Sequence, residues 1–248
     1  MRRLFSIASQ TVFEILRARL MYVLAVLLVV LAWSSLFLGD IAIEPKAEVA
    51  VDLGVSGAAL ICGIMTILIS LEYAGAAVRP VFYPFLAAGV GRGMLLAGRW
   101  LGVVLVTTAL AALVPVCIMT AIALTCEITP GNAQDLAAAV LLLPLETLVL
   151  ASITVFFAVY AVRPVALALA IALWLICHMQ INAPIYEPDA MDRLVIVFSR
   201  LLPDLELYNP RLFFLVTPPV FAGTLAQTAF YSLAALYVAA LYYRTKDL

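Results

Sequence analysis

The chain has 248 residues, of which 66% are hydrophobic and only 12% charged, with a formal net charge of −1 and a mean hydropathy of +1.15. That apolar share exceeds the roughly 45–50% of a soluble domain, which excludes a soluble enzyme or a nucleic-acid binder. Six long apolar runs separated by short polar segments make lipid the solvent for most of the chain. Runs of about 20 residues cross a bilayer as helices, because backbone polar groups need internal partners there. The expected fold is all-α: a polytopic membrane protein and a single transmembrane domain over residues 1–248.

Phe5, Ala8, Val12, Ile15 and Arg19 recur at spacings of three and four, with Ser6, Ser9, Gln10, Glu14 and Arg17 over most of the other side. This pattern predicts an amphipathic helix over residues 3–18 at the membrane interface. The alternative is an ordinary extension of the first span. No apolar stretch with a small-residue cleavage site follows Arg2 and Arg3, so a signal peptide is not indicated.

The spans are expected at residues 20–39, 53–71, 100–126, 136–161, 165–181 and 223–243. One side then holds most of the basic residues: Arg2, Arg3, Arg17, Arg19, Arg79, Arg92, Arg99, Arg163, Arg244 and Lys246. The other holds four basic residues and most of the acids, from Asp40 to Glu206. Positive charge favours the cytoplasmic side, so both termini are expected there.

The longest cytoplasmic connection, 72–99, contains Arg79-Pro80, the cluster Gly89, Gly91 and Gly93, and a stretch from Met94 to Gly98 able to resume a short helix. Arg92 and Arg99 on that helix would form a docking surface for a soluble partner, or act only as topology determinants. Gly93 to Trp100 imitates the glycine spacing of a phosphate-binding loop. Arg99 and Trp100, however, stand where Lys and Ser/Thr must meet phosphate and Mg²⁺, so no nucleotide site is expected.

Tyr83-Pro84-Phe85-Leu86-Ala87, then Val90-Gly91-Arg92-Gly93, then Gly98-Arg99-Trp100-Leu101-Gly102 resembles the membrane subunit of ABC-2 type transporters. Leu202-Pro203-Asp204 with Tyr208-Asn209 is similar to a second feature of that family, before the last helix. The nearest flavour is the permease associated with nitrous-oxide reductase maturation. The likeness covers essentially the whole chain, carried by the order and spacing of short motifs. It departs at Ala77-Val78-Arg79-Pro80-Val81, at Gly89 in place of the usual turn proline, and at Arg99 in place of the usual lysine.

The resemblance implies a permease subunit of an ATP-driven exporter in a bacterial inner membrane. Its partners would be two ATPase subunits carrying ATP and Mg²⁺, a second permease copy (identical or related), lipid and a candidate periplasmic accessory protein. Phe82, Tyr83, Phe85, Arg92 and Arg99 would then form the ATPase-coupling loop. No cofactor or catalytic residue is expected in this chain. The alternative is a membrane scaffold that does not transport, or a membrane enzyme subunit. An enzyme would need converging acid–base groups, and His178 is the sole histidine.

The outer connection, 182–222, is too long for a plain linker. Met191, Leu194, Val195, Phe198, Leu201 and Leu202 predict a short interfacial helix, and 212–216, ended by Pro218-Pro219, reads as a re-entrant piece.

Within the spans, Glu146 stands out, since a carboxylate there is costly unless it faces a cavity or partner. It serves either a gate or a packing role, and Glu72 and His178 are the other candidates along a translocation path. Pro115 and Pro144 are placed to bend their helices. Cys177-His178-Met179 offers copper-type ligands, but consecutive helical residues point about 100° apart and cannot converge on one ion, so no metal site is assigned. Cys62, Cys117, Cys126 and Cys177 form no CxxC pair and read as buried hydrophobes. Alanine- and glycine-rich stretches in the fourth and sixth spans allow close packing.

Overall fold

The computed structural model describes residues 2–41, 46–74, 89–125, 130–178, 202–209 and 218–245. These are helical throughout, apart from short turns, with no strand among them. In chain order they are α1 (Arg2–Leu16), α2 (Arg19–Ile41), α3 (Lys46–Ile69), a π-helical turn (Ser70–Ala74), α4 (Arg92–Thr125), α5 (Pro130–Tyr160), α6 (Arg163–His178), a 3₁₀ turn (Glu206–Tyr208) and α7 (Pro218–Thr245). Four stretches among the described residues are long and apolar enough to cross a membrane: Glu48–Ala74, Arg92–Ala123, Leu136–Tyr160 and Phe221–Tyr243. α6 is a shorter apolar helix. The chain is therefore a helical membrane protein.

α5 is the hub, packing on α3, α4, α6 and α7. Its span is the most buried of the four, and Ala138, Ala139 and Ala151 on it let neighbouring backbones approach. α7 lies at the rim, with Phe230, Leu233 and Tyr237 exposed, and so does α2, with Tyr22, Trp33 and Phe37 exposed. Exposed rings of this kind suit lipid rather than water.

Several boundaries differ from the expectation, and α3 and α5 begin earlier, at Lys46 and Pro130. The 72–99 connection is shorter than anticipated, because residues 70–74 continue α3 as a π turn and α4 already begins at Arg92. Residues 94–98 are thus the first turns of α4 and not a separate short helix. α4's 34 residues rise about 51 Å, well beyond the ~30 Å hydrocarbon core, so one end projects out of it. α7 begins at Pro218, whose missing N–H costs nothing in a first turn.

α1 lies against the start of α4. Its buried face is Ile7, Ala8, Thr11 and Ile15, while Phe5 and Phe13 are exposed. A Cβ on Gly98 would stand 2.9 Å from the Ile7 Cβ, and one on Gly102 would stand 2.8 Å from the Ala8 carbonyl oxygen. Gly98 and Gly102 therefore form the groove that admits α1. This groove explains why the buried face is rotated from the one that periodicity favours: small and branched residues fit it, and Phe5 does not.

Candidate functional site

Two polar centres lie at different heights in the bundle. The first joins α1, the π turn and α4. Arg99 is only 3% exposed, and its guanidinium donates to Glu14 Oε2 at 2.9 Å and to the Tyr73 carbonyl at 2.6 Å. A forked guanidinium can serve two acceptors in different directions, which an ammonium does less well. The next residue, Trp100, points its indole elsewhere and donates to Ser152 Oγ on α5 at 2.9 Å. Glu72 on the π turn pairs with Arg163 at the start of α6, and Tyr160 of α5 stacks on Tyr242 of α7 with centroids 4.0 Å apart. The two ends of this network tie α1, α4, α5, α6 and α7 together at one end of the bundle.

Arg99 is thus an internal tie and not part of an exposed docking face, while Arg92 at the head of α4 is half-buried. Glu72 belongs to this same end, paired with Arg163, and does not reach the cavity that holds Glu146. Phe82, Tyr83 and Phe85, with the rest of the Tyr83–Ala87 motif, lie outside the described residues, as do Cys126, Met179, residues 191–201 of the expected outer helix and the 212–216 segment. Gly89, just before α4, has φ of 76°. A proline ring is locked near −65°, so this is a backbone conformation that proline could not adopt.

The second centre is a cavity of about 350 Å³ lined by α3, α5, α6 and the 3₁₀ turn. Glu146, 4% exposed, forms its polar floor. The Trp174 indole donates to Glu146 Oε1 at 3.3 Å, and His178 Nε2 lies 3.3 Å from the same oxygen. His178 Nδ1 sits 3.0 Å from the Trp174 carbonyl. With Nδ1 protonated toward that carbonyl, Nε2 faces the carboxylate and needs a second proton to donate to it. Gly63 on α3 backs the indole: a Cβ there would stand 2.6 Å from Trp174 Cζ2. The ring is therefore clamped between α3 and the carboxylate.

His178, the last described residue of α6, lies beside Glu146. Tyr208 of the 3₁₀ turn is buried, as is Leu205 just before that turn. Asp204 Oδ1 accepts the Glu206 backbone N–H at 3.0 Å. Tyr208 Oη lies 2.8 Å from Thr228 Oγ1 on α7. Because the Thr228 hydroxyl donates to the Thr224 carbonyl, Tyr208 is the donor of the pair.

Glu146 and His178 were both visible in the sequence as isolated oddities, and the fold brings them together. Trp174, Gly63 and Tyr208 carry no comparable sequence signal: Trp174 looks like any aromatic residue in an apolar run. Among the described residues no cluster of three or more His, Cys, Asp and Glu side chains could hold a metal ion. Compared with known proteins, the chain matches no family model, and no curated protein is significantly similar to it.

Proposed function

We propose that this chain is the membrane subunit of an ATP-driven transporter, working as a pair of copies with two separate ATPase subunits, and exporting its substrate. In this reading α2 and α6 join the four long helices to make six spans, and α1 lies along the inner interface. Arg17, Arg19, Arg92, Arg99 and Arg163 mark the cytoplasmic end, which carries both termini; Glu48, Asp52, Asp204 and Glu206 mark the outer one. ATP and Mg²⁺ belong to the partner chains. The rims of α2 and α7 take lipid or the second copy.

The observation that carries the reading is the Arg99 tie. A force applied to α1 or to the head of α4 reaches the end of α3 through Glu14, Arg99 and the Tyr73 carbonyl, without slack. The same α3 lines the deep cavity farther along, through Val55 and Ala59. In this reading the tie at one end is the input, and the mostly apolar cavity with its Glu146 carboxylate is the chamber for alternating access. The order of motifs resembling ABC-2 permeases, from Val90 to Gly102, falls on this input end. π turns are enriched at functional sites, and here one separates α3 from the connection to α4.

Arg92 is the test residue on the input side. In the complex purified from native membranes, Arg92→Glu should cut ATP hydrolysis about tenfold, a loss of roughly 1.4 kcal/mol in coupling, with the chain still inserted in the membrane. Full hydrolysis by that variant would remove the head of α4 from the coupling path.

A further inference from the structure

We propose that the Glu146 cavity is a binding site for a monovalent organic cation, a protonated amine carried on an apolar body. The inference needs only the cavity and holds whether or not the chain transports what it binds. At about 350 Å³ the space lies at the small end of the range for drug-sized ligand pockets. Its walls are mostly apolar: Val55, Ala59 and Leu60 from α3, Leu143 from α5 and Leu175 from α6.

The polar groups select the charge. Both contacts of Glu146 among the described residues use Oε1, whereas a carboxylate has about four acceptor positions over its two oxygens. Oε2 thus keeps its capacity for a donor supplied from the cavity. A second carboxylate, Glu206, lines the same space; among the described lining residues there is no Lys or Arg, and His178 is the one group able to carry positive charge. An anionic ligand would meet two carboxylates. A purely apolar ligand would cover Oε2 without offering it a hydrogen bond, leaving a buried acceptor unsatisfied. A small metal cation would want six or more oxygen ligands, and the apolar walls cannot supply them. An alkylammonium group satisfies Oε2 while its hydrocarbon body covers the leucine and valine walls, without displacing Trp174 or His178 from Oε1.

The experiment uses the full chain in lipid nanodiscs and two radiolabelled probes of matched shape, phenylbutylamine and phenylbutanol, at neutral pH. The amine should bind saturably, one molecule per chain, at least about tenfold more tightly than the alcohol. Glu146→Gln should abolish that preference. Ala59→Phe, which fills the cavity and leaves every charge in place, should abolish saturable binding of the amine, so the proposal remains testable even if the Glu146 variant does not fold. Equal binding of the two probes would overturn the proposal. So would amine binding that survives both variants, or uptake that never saturates and scales only with lipid.

Discussion

Replacing Gly102 with leucine should detach α1 from the bundle. The new side chain starts from a Cβ that stands 2.8 Å from the Ala8 carbonyl oxygen and 2.7 Å from the Thr11 Cβ. Both are fixed to the α1 helix, so no rotamer change relieves the overlap, and the helix must move away. Forcing a side chain into a filled space costs typically ~1–3 kcal/mol, and losing the burial of Ile7 and Ile15 adds to it. A fall in melting temperature of roughly 10 °C is expected from a loss of about 3 kcal/mol. Trypsin should also gain access to the Arg17–Arg19 junction in the variant. Gly91→Leu is the control, since a Cβ there meets nothing within 4 Å, and it should melt like the parent. A Gly102→Leu protein with an unchanged melting point would show that α1 is not seated in this groove.

Arg99→Met should have the second-largest effect. The side chain is 3% exposed and bridges α1 to the π turn. Removing it leaves the Tyr73 carbonyl without its donor and Glu14 without its counter-charge, at a cost of about 1–3 kcal/mol, since water can reach the one-third exposed Glu14. Arg99→Lys should fall between the two, as one ammonium cannot reach both acceptors with the guanidinium's geometry. Glu14→Gln should cost less, about 2 kcal/mol at most, since Glu14 is about one-third exposed. The double variant Glu14→Gln with Arg99→Met should be less destabilised than the two single losses added, as expected for residues in contact. Strict additivity in thermal unfolding would mean that the pair does not form in the membrane.

How much of this was legible in the sequence follows the range of the interaction. Helices made of continuous apolar runs, such as α3 and α5, announce themselves, because lipid imposes one solution on such a run. Glu146 was legible as a charge where charge is costly. Its pairing was not: Trp174 reads as an apolar-run residue and His178 as an isolated polar one, 28 and 32 positions away, and only the packing of α5 against α6 brings them together. Arg99 reads as a surface charge at a helix entry, and its burial depends on Glu14, 85 residues earlier. The π turn at Ser70–Ala74 leaves no mark on the spacing of apolar residues. The face of α1 is a subtler case. Periodicity puts Phe5, Ala8, Val12 and Ile15 on one apolar face at the membrane interface, whereas the groove at Gly98 and Gly102 takes Ile7, Ala8, Thr11 and Ile15 and leaves Phe5 exposed.

The most direct measurement on the central proposal is to tag the chain at its carboxy terminus, purify it gently from native membranes and identify what accompanies it. A P-loop ATPase recovered in one-to-one ratio with the chain is the predicted result. A chain that purifies alone, under conditions that keep known transporter complexes intact, would contradict the transporter reading and favour a membrane scaffold.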